Sequence, residues 1–266
     1  MKILFIGTSS GAGKTTIAAM FCRYLKKNGV SVVPFKASNL SSGAYTMKDG
    51  KKIGKGQAFQ ALLSGLEPVA DMNPILIVPS EGGLRTMVNG VSAEKGYDRD
   101  ELLSIALEAF DRLAGKYDAV VCEGSGSPSE LNLMERDIAN MRLARERGIP
   151  VVLIGDIERG GVFAGLYGTW RLMKEKDRSL IRGFIINRFR GDPSILSKGT
   201  DRITELTGMG FLGVMPLLDV NFPEEDSLSK SGRNGNQDQY IRDMDEFLKV
   251  AEGVLDLKEI RRIAEG

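Results

Sequence analysis

The sequence predicts a three-layer α/β fold, with a mainly parallel sheet covered by helices on both faces. Short Val/Ile/Leu runs alternate along the chain with segments whose apolar residues recur at helical spacing. The first such pair is joined by the glycine-rich run Gly7-Thr-Ser-Ser-Gly-Ala-Gly-Lys-Thr15. At 266 residues, 42% of them hydrophobic, the chain is also long enough to bury a full core.

Taken in order, Ile3 to Ile6 is an apolar strand, and Gly13-Lys14-Thr15 opens a helix carrying Ile17, Ala18, Phe21 and Leu25. Ser31 to Phe35 is a second strand, Gly56 to Ser64 a small-residue helix, and Ile75 to Val78 a strand after the Asp71-Met-Asn-Pro74 turn. Asp100 to Ala114 is an amphipathic helix, with Leu102, Leu103, Ala106, Leu107, Phe110 and Leu113 on one face. Ala119 to Cys122 reads as a buried strand ending at Glu123, Glu130 to Arg147 as a helix, and Val151 to Ile154 as a strand. A helix from Val162 to Met173 follows. Then come a strand from Ile181 to Ile186 leading to Asn187, a short helix containing Ile203 to Leu206, and a last strand from Phe211 to Val214. These elements define a domain over residues 1–228. The polar run 229–239 reads as a linker, and 240–266 resumes helical spacing through Ile241, Met244, Leu248, Ala251 and Leu255. That last helix can dock on the sheet, form a subunit contact or lie on a membrane, and its interspersed acids argue against anionic lipid.

Composition removes several classes of function. Lys and Arg number 36 against 35 Asp and Glu, so no global field marks a nucleic-acid binder. No apolar run reaches the ~20 residues of a membrane span, and no signal peptide is evident, so a cytoplasmic protein is expected. The two cysteines, Cys22 and Cys122, read as buried apolar residues. Histidine is absent, which excludes His-dependent triads and His-ligated zinc within these residues. Chemistry must come from carboxylates, lysine, arginine, hydroxyls, backbone amides and an oxygen-bound metal.

The glycine-rich joint suits a nucleoside triphosphate. Loop and helix N-terminal N–H groups face phosphates, Lys14 reaches the β/γ oxygens, and the Thr15 hydroxyl can coordinate Mg²⁺. The spacing is unusual: five residues separate Gly7 from Gly13, where the common pattern has four, and Thr8 takes the place of the first glycine. Contacts to ATP are expected from Thr8, Ser9, Gly11, Ala12, Gly13, Lys14, Thr15 and Thr16. In parallel sheets ligands bind beyond the carboxyl ends of the strands. Lys36, Glu123, Asp156 and Asn187 are all expected there. Glu123 can share Mg²⁺ with Thr15 or serve its own turn. Lys36 can balance charge on a transferring phosphoryl group or be a solvated strand-end lysine. Ser38, Asn39, Ser41 and Ser42, in a run that reads as a loop, offer hydroxyls and an amide to a polar substrate. In Asp156-Ile-Glu-Arg-Gly-Gly161 the glycines permit close approach to a ligand, so Asp156, Arg159 and Gly160 are candidates for binding it. Capping of the next helix is the other reading of Asp156. Asn187 can read an adenine edge, and Arg188 and Arg190 are either ligand contacts or solvated charges.

Several runs together resemble the ATP-binding domain of cobyric acid synthases, within the dethiobiotin-synthetase-like P-loop proteins. They include Gly7 to Thr15, Pro34-Phe-Lys-Ala37, Gly56-Gln-Ala58, Asp71 to Pro74 and Val121-Cys-Glu-Gly124. Ser127-Pro-Ser-Glu-Leu-Asn-Leu133, Arg136-Asp-Ile138, Arg159-Gly-Gly-Val-Phe-Ala164, Asn187 to Pro193 and Glu225-Asp-Ser-Leu228 extend the likeness to roughly residue 229. The resemblance implies a P-loop NTPase fold. It also implies an ATP- and Mg²⁺-dependent amidation of carboxylates on a corrinoid or related tetrapyrrole, with Lys14, Lys36 and Glu123 as catalytic groups. That family normally continues into a glutaminase domain needing a Cys–His pair. A chain without histidine implies free ammonia or a separate glutaminase subunit, and a homodimer is expected.

Two departures bear on the acceptor. Ser38-Asn39-Leu40 stands where the family usually has Gln-Asn-Met, and Ser80 to Met87 replaces a segment that ordinarily ends in Ser-Gln or Ala-Gln. The alternatives are a dethiobiotin-synthetase-like ligase on another carboxylate, a partitioning or metal-delivery ATPase switch, or a regulatory relative that binds ATP without turnover. Switch proteins usually carry a lysine five residues before the loop lysine, where this chain has Ser9.

Overall fold

In a computed structural model, which describes all residues except 81, 95, 133, 135, 136, 221 and 223–236, strands and helices alternate as expected. The chain runs through β1 (Lys2–Gly7), α1 (Lys14–Lys27), β2 (Val32–Phe35), β3 (Ser38–Leu40), β4 (Ala44–Thr46), β5 (Lys52–Gly54) and α2 (Lys55–Leu63). It continues with β6 (Ile75–Ser80), β7 (Gly83–Val88), β8 (Val91–Ser92), α3 (Arg99–Ala114), β9 (Ala119–Glu123), α4 (Met141–Arg147) and β10 (Val151–Asp156). The last part is α5 (Val162–Leu172), α6 (Glu175–Arg178), β11 (Ile181–Phe189), α7 (Ser197–Thr207), β12 (Gly210–Pro216), α8 (Gln237–Val254) and α9 (Leu257–Glu265).

Six strands form one parallel sheet in the order β12-β11-β10-β1-β9-β2. Alternate side chains of each strand enter opposite layers. Leu4 and Ile6 pack with residues of α3, α4 and α5, while Ile3 and Phe5 pack with α1, α8 and α9. Because β1 is central, flanked by β9 and β10, its C-terminal loop lies where the strand order reverses, the usual place for a ligand.

Four expectations change. The segment 37–43 is not simply a loop: β3 pairs with β6, and β6 leads a small mixed sheet, β3-β6-β7-β8, separate from the main one. Strand β7 starts at Gly83, which takes φ +121, in the left-handed region. Leu84 is 68% exposed, so burial leaves only a weak alternation there to read. The helix expected over 130–147 begins only at Met141. Asp137 takes up the N–H groups of Ala139 (3.0 Å), Asn140 (2.9 Å) and Met141 (3.0 Å), so these amides bond a side chain in place of a preceding turn.

The helical stretch over 240–266 is two helices. Asp256, between them, caps α9 by accepting from the N–H of Glu259 at 2.8 Å. Most of the expected linker 229–239, like Glu225-Asp-Ser-Leu228, lies outside the described residues, and 237–239 already belong to α8. Among the alternatives for this segment, the structure shows intramolecular docking. Arg23 grips Asp245 with two hydrogen bonds (2.8 and 2.9 Å), and the N–H of Asp256 bonds the Leu212 carbonyl at 2.9 Å. Among the described residues, no helix is long and apolar enough to cross a membrane.

Both cysteines are fully buried. Burial pushes the Cys22 thiol up to about 12 and raises Cys122 as well. The native protein is therefore expected to resist a thiol-specific disulfide reagent at neutral pH and to release both thiols in denaturant. Rapid labelling of native protein would contradict this packing.

Candidate nucleotide site

Three neighbouring strand ends build the site. The loop after β1 enters α1 through Gly13, whose φ of +94 is strained for any residue with a Cβ. Lys14 is buried, at 2% exposure, and its Nζ donates to the Ser9 carbonyl at 3.1 Å. Thr15 Oγ1 donates to Glu123 Oε1 at 2.8 Å. Lys36 Nζ donates to the same oxygen at 2.8 Å, with neither Lys36 nor Glu123 exposed. These contacts follow from topology: β9 lies between β1 and β2, so Glu123 ends between the phosphate loop and Lys36.

The other carboxylate oxygen, Oε2, accepts from Gln60 Nε2 at 2.7 Å and Gln57 Nε2 at 3.3 Å. Neither glutamine was singled out from the sequence for chemistry. Both are fully buried, three residues apart on one face of α2, among small and apolar neighbours. Polar residues at core positions of a helix were the available signal. The carboxylate also fixes the sense of a short relay. Gln57 donates to Glu123, so its Oε1 is left to accept from Asn39 Nδ2 at 3.3 Å. Asn39 then presents its own Oδ1 onward, and this atom and Gln60 Oε1 are buried without a hydrogen-bond partner among the described residues.

The donor set is of the kind Mg²⁺ takes: the Thr15 hydroxyl and the Glu123 carboxylate are both hard oxygen donors, brought together by their 2.8 Å hydrogen bond.

The remaining sequence candidates fall in different places. Thr8, Ser9, Gly11, Ala12 and Thr16 all belong to the loop and the start of α1. Asn187 reaches the loop itself: its Nδ2 donates to the Ala12 carbonyl at 2.9 Å. Ser38 lines a cleft of about 390 Å³ beside the loop, walled by Ser10, Leu40, Ser127, Glu130 and Asn140. Ser41 is turned inward and donates to the Gly43 carbonyl at 2.8 Å, while Ser42 is half-buried beside it. Asp156 ends β10 and Arg159 and Gly160 follow it, on the opposite side of β1 from Lys36 and Glu123, and none of the three lines that cleft. Asp156 caps its own turn through the N–H of Glu158 (2.9 Å) and pairs with Arg188 (3.1 Å), whereas Arg159 and Gly160 are exposed.

A glycine loop at a strand–helix joint, two buried lysines and a carboxylate paired with the loop threonine define a P-loop nucleotide-binding protein. Residues 3–231 match the model of the CobQ/CobB/MinD/ParA nucleotide binding domain, and the chain belongs to that family. It is 46% identical over 236 residues to a probable cobyric acid synthase of Methanoculleus marisnigri, covering 86% of this chain and 48% of that protein. It is also 46% identical over 221 residues to a cobyric acid synthase of Cutibacterium acnes, covering 80% of this chain and 46% of that one. The chain thus spans about half the length of these relatives. Among solved structures, the MinC:MinD cell division protein complex of Aquifex aeolicus matches with a TM-score of 0.50 at 15% identity, over 95% of this chain and 94% of that one. That likeness concerns the fold.

Proposed function

We propose that this chain is the ATP-dependent, carboxylate-activating part of an amidoligase like the cobyric acid synthases it resembles, acting on a corrinoid or related tetrapyrrole acid. The observation that carries the reading is the convergence of Thr15 and Lys36 on one buried oxygen of Glu123. It sets a charge-balanced phosphoryl-transfer site beside the cleft. A carboxylate resists nucleophiles because of its own charge and its poor leaving group. An acceptor carboxylate oxygen attacks the γ-phosphorus of ATP, and ADP leaves. Ammonia then adds to the acyl carbon of the resulting acyl phosphate, inorganic phosphate departs, and the amide remains after a proton passes to phosphate or water.

Lys14 and Lys36 are placed to offset charge on the transferring group, and the loop amides orient it. Thr15 and Glu123 are the residues that would hold Mg²⁺, whose charge would further neutralise the phosphates. Ser38, at the cleft wall, provides a polar contact for the acceptor. No histidine occurs in the 266 residues, so these residues hold no Cys–His pair to release ammonia from glutamine, and ammonia reaches the site from outside them.

The test incubates the protein with Mg-ATP, ammonium and tetrapyrrole acids, following ADP release and a mass decrease of about one unit per amidation. Acceptor-stimulated ADP release with that product supports the proposal. Release stimulated by DNA or a protein, without product, supports a nucleotide switch instead. Arg159 is exposed and does not line that cleft, so Arg159→Ala is expected to leave both the acceptor KM and the ATP affinity unchanged. A raised acceptor KM would return Arg159 to the acceptor site.

A further inference from the structure

Two consecutive residues at the end of β11 hold two consecutive carbonyls of the phosphate loop. Asn187 Nδ2 donates to the Ala12 carbonyl at 2.9 Å, and Arg188 Nη1 donates to the Gly11 carbonyl at 2.8 Å. Arg188 reaches it from φ +63, a conformation few non-glycine residues adopt, and such strain persists only where surrounding contacts enforce it. The same Nη1 also donates to Asp156 Oδ2 at 3.1 Å, and Asp156 is in turn anchored by the N–H of Glu158. The fit is close: a Cβ at Gly13 would lie 2.1 Å from Asn187 Nδ2.

In a trans peptide, the carbonyl of one residue and the N–H of the next point in opposite directions across one rigid plane. Tying the Gly11 and Ala12 carbonyls toward β11 therefore aims the N–H groups of Ala12 and Gly13 the other way. Those amides belong to the set that a phosphate-binding loop offers its ligand. We propose that Asn187 and Arg188, with Asp156 behind Arg188, are positioning residues that preset the Ala12 and Gly13 amides for the phosphates, and that they do not select the base. The proposal rests on the nucleotide reading of the loop and assigns these three side chains a task other than ligand contact.

Inorganic tripolyphosphate separates the two roles, because it has phosphates and no base. Its affinity, with those of ATP and GTP, is measured by calorimetry for the wild type, Asn187→Ala, Arg188→Gln, Arg188→Lys and Asp156→Asn. Presetting predicts that Asn187→Ala and Arg188→Gln weaken tripolyphosphate and ATP by the same factor, about tenfold. The ATP-to-GTP preference stays as in the wild type, Arg188→Lys recovers most of the loss, and Asp156→Asn shows a smaller loss of the same kind. Unchanged tripolyphosphate affinity, with weakened ATP binding or a collapsed ATP-to-GTP preference, overturns the proposal in favour of base reading. Should Asn187→Ala or Arg188→Gln not fold, Asp156→Asn and Arg188→Lys carry the same comparison. A wild-type protein that binds neither ATP nor tripolyphosphate defeats the nucleotide reading itself and takes this proposal with it.

Discussion

Glu123→Ala is expected to destabilise the protein by about 3–5 kcal/mol, the usual result of removing one partner from a buried ion pair. On the proposed function it should also end ATP-dependent product formation. Glu123 accepts hydrogen bonds from Thr15, Lys36, Gln57 and Gln60, so truncation leaves the Lys36 ammonium buried without its carboxylate, takes the acceptor from Gln57 Nε2 and leaves Gln60 Nε2 only the Thr15 carbonyl at 3.3 Å. For a chain of this size the melting temperature should fall by roughly 6–20 °C. Glu123→Gln keeps an acceptor of the same shape but sets the ammonium against a neutral group. Adding Lys36→Met to Glu123→Gln removes that ammonium and is expected to recover part of the lost stability, because replacing a whole buried pair by apolar groups is often neutral. Neither variant should regain turnover. Thermal denaturation of the single and double variants, with ADP release measured alongside, separates the structural from the chemical role of the pair. A double variant less stable than Glu123→Gln would show that Lys36 is held chiefly by something other than this carboxylate.

The second large effect is kinetic. Lys14→Ala should slow acceptor-stimulated ADP release at saturating ATP by about 10²–10³, the range found when one preorganised donor to developing charge is lost. Stability should fall by only about 1–2 kcal/mol, from the lost Ser9 hydrogen bond and the packing of the buried stem. Single-turnover phosphate release and melting curves would be compared directly. A rate within tenfold of wild type would mean that this ammonium does not face the transferring group. A collapse in melting temperature would mean that Lys14 is structural.

Much of the architecture was legible because its signals are local. The loop–helix joint, the buried strands β1, β2, β9, β10 and β11 and the amphipathic α3 appear near their expected positions, since apolar runs and helical spacing arise from neighbours in sequence. The small sheet was not legible, because β3 has three residues and takes its hydrogen bonds from β6, more than thirty positions away. The start of α4 was misplaced for a similar reason: helical spacing continues through 130–140, but the Asp137 carboxylate claims the amides. In the site, Lys14 and Thr15 were nameable from the glycine loop and Lys36 and Glu123 from strand ends, whereas Gln57 and Gln60 looked like ordinary helix residues until Glu123 was placed against them.

From the sequence alone came the phosphate loop, the alternating α/β order, the absence of histidine chemistry in these residues and the shortlist of strand-end charges. Each depends on residue type or short-range spacing, which a linear chain carries in full. Tertiary structure alone decided which of those charges meet. The strand order sets β9 between β1 and β2, bringing Glu123 to Thr15 and Lys36, and sends Asp156 and Arg159 to the far side of β1. It also turned Asn187 and Arg188 onto the loop carbonyls. Sheet order is settled by which faces can be buried together and which buried polar groups can be satisfied, and no run of neighbouring residues records that outcome.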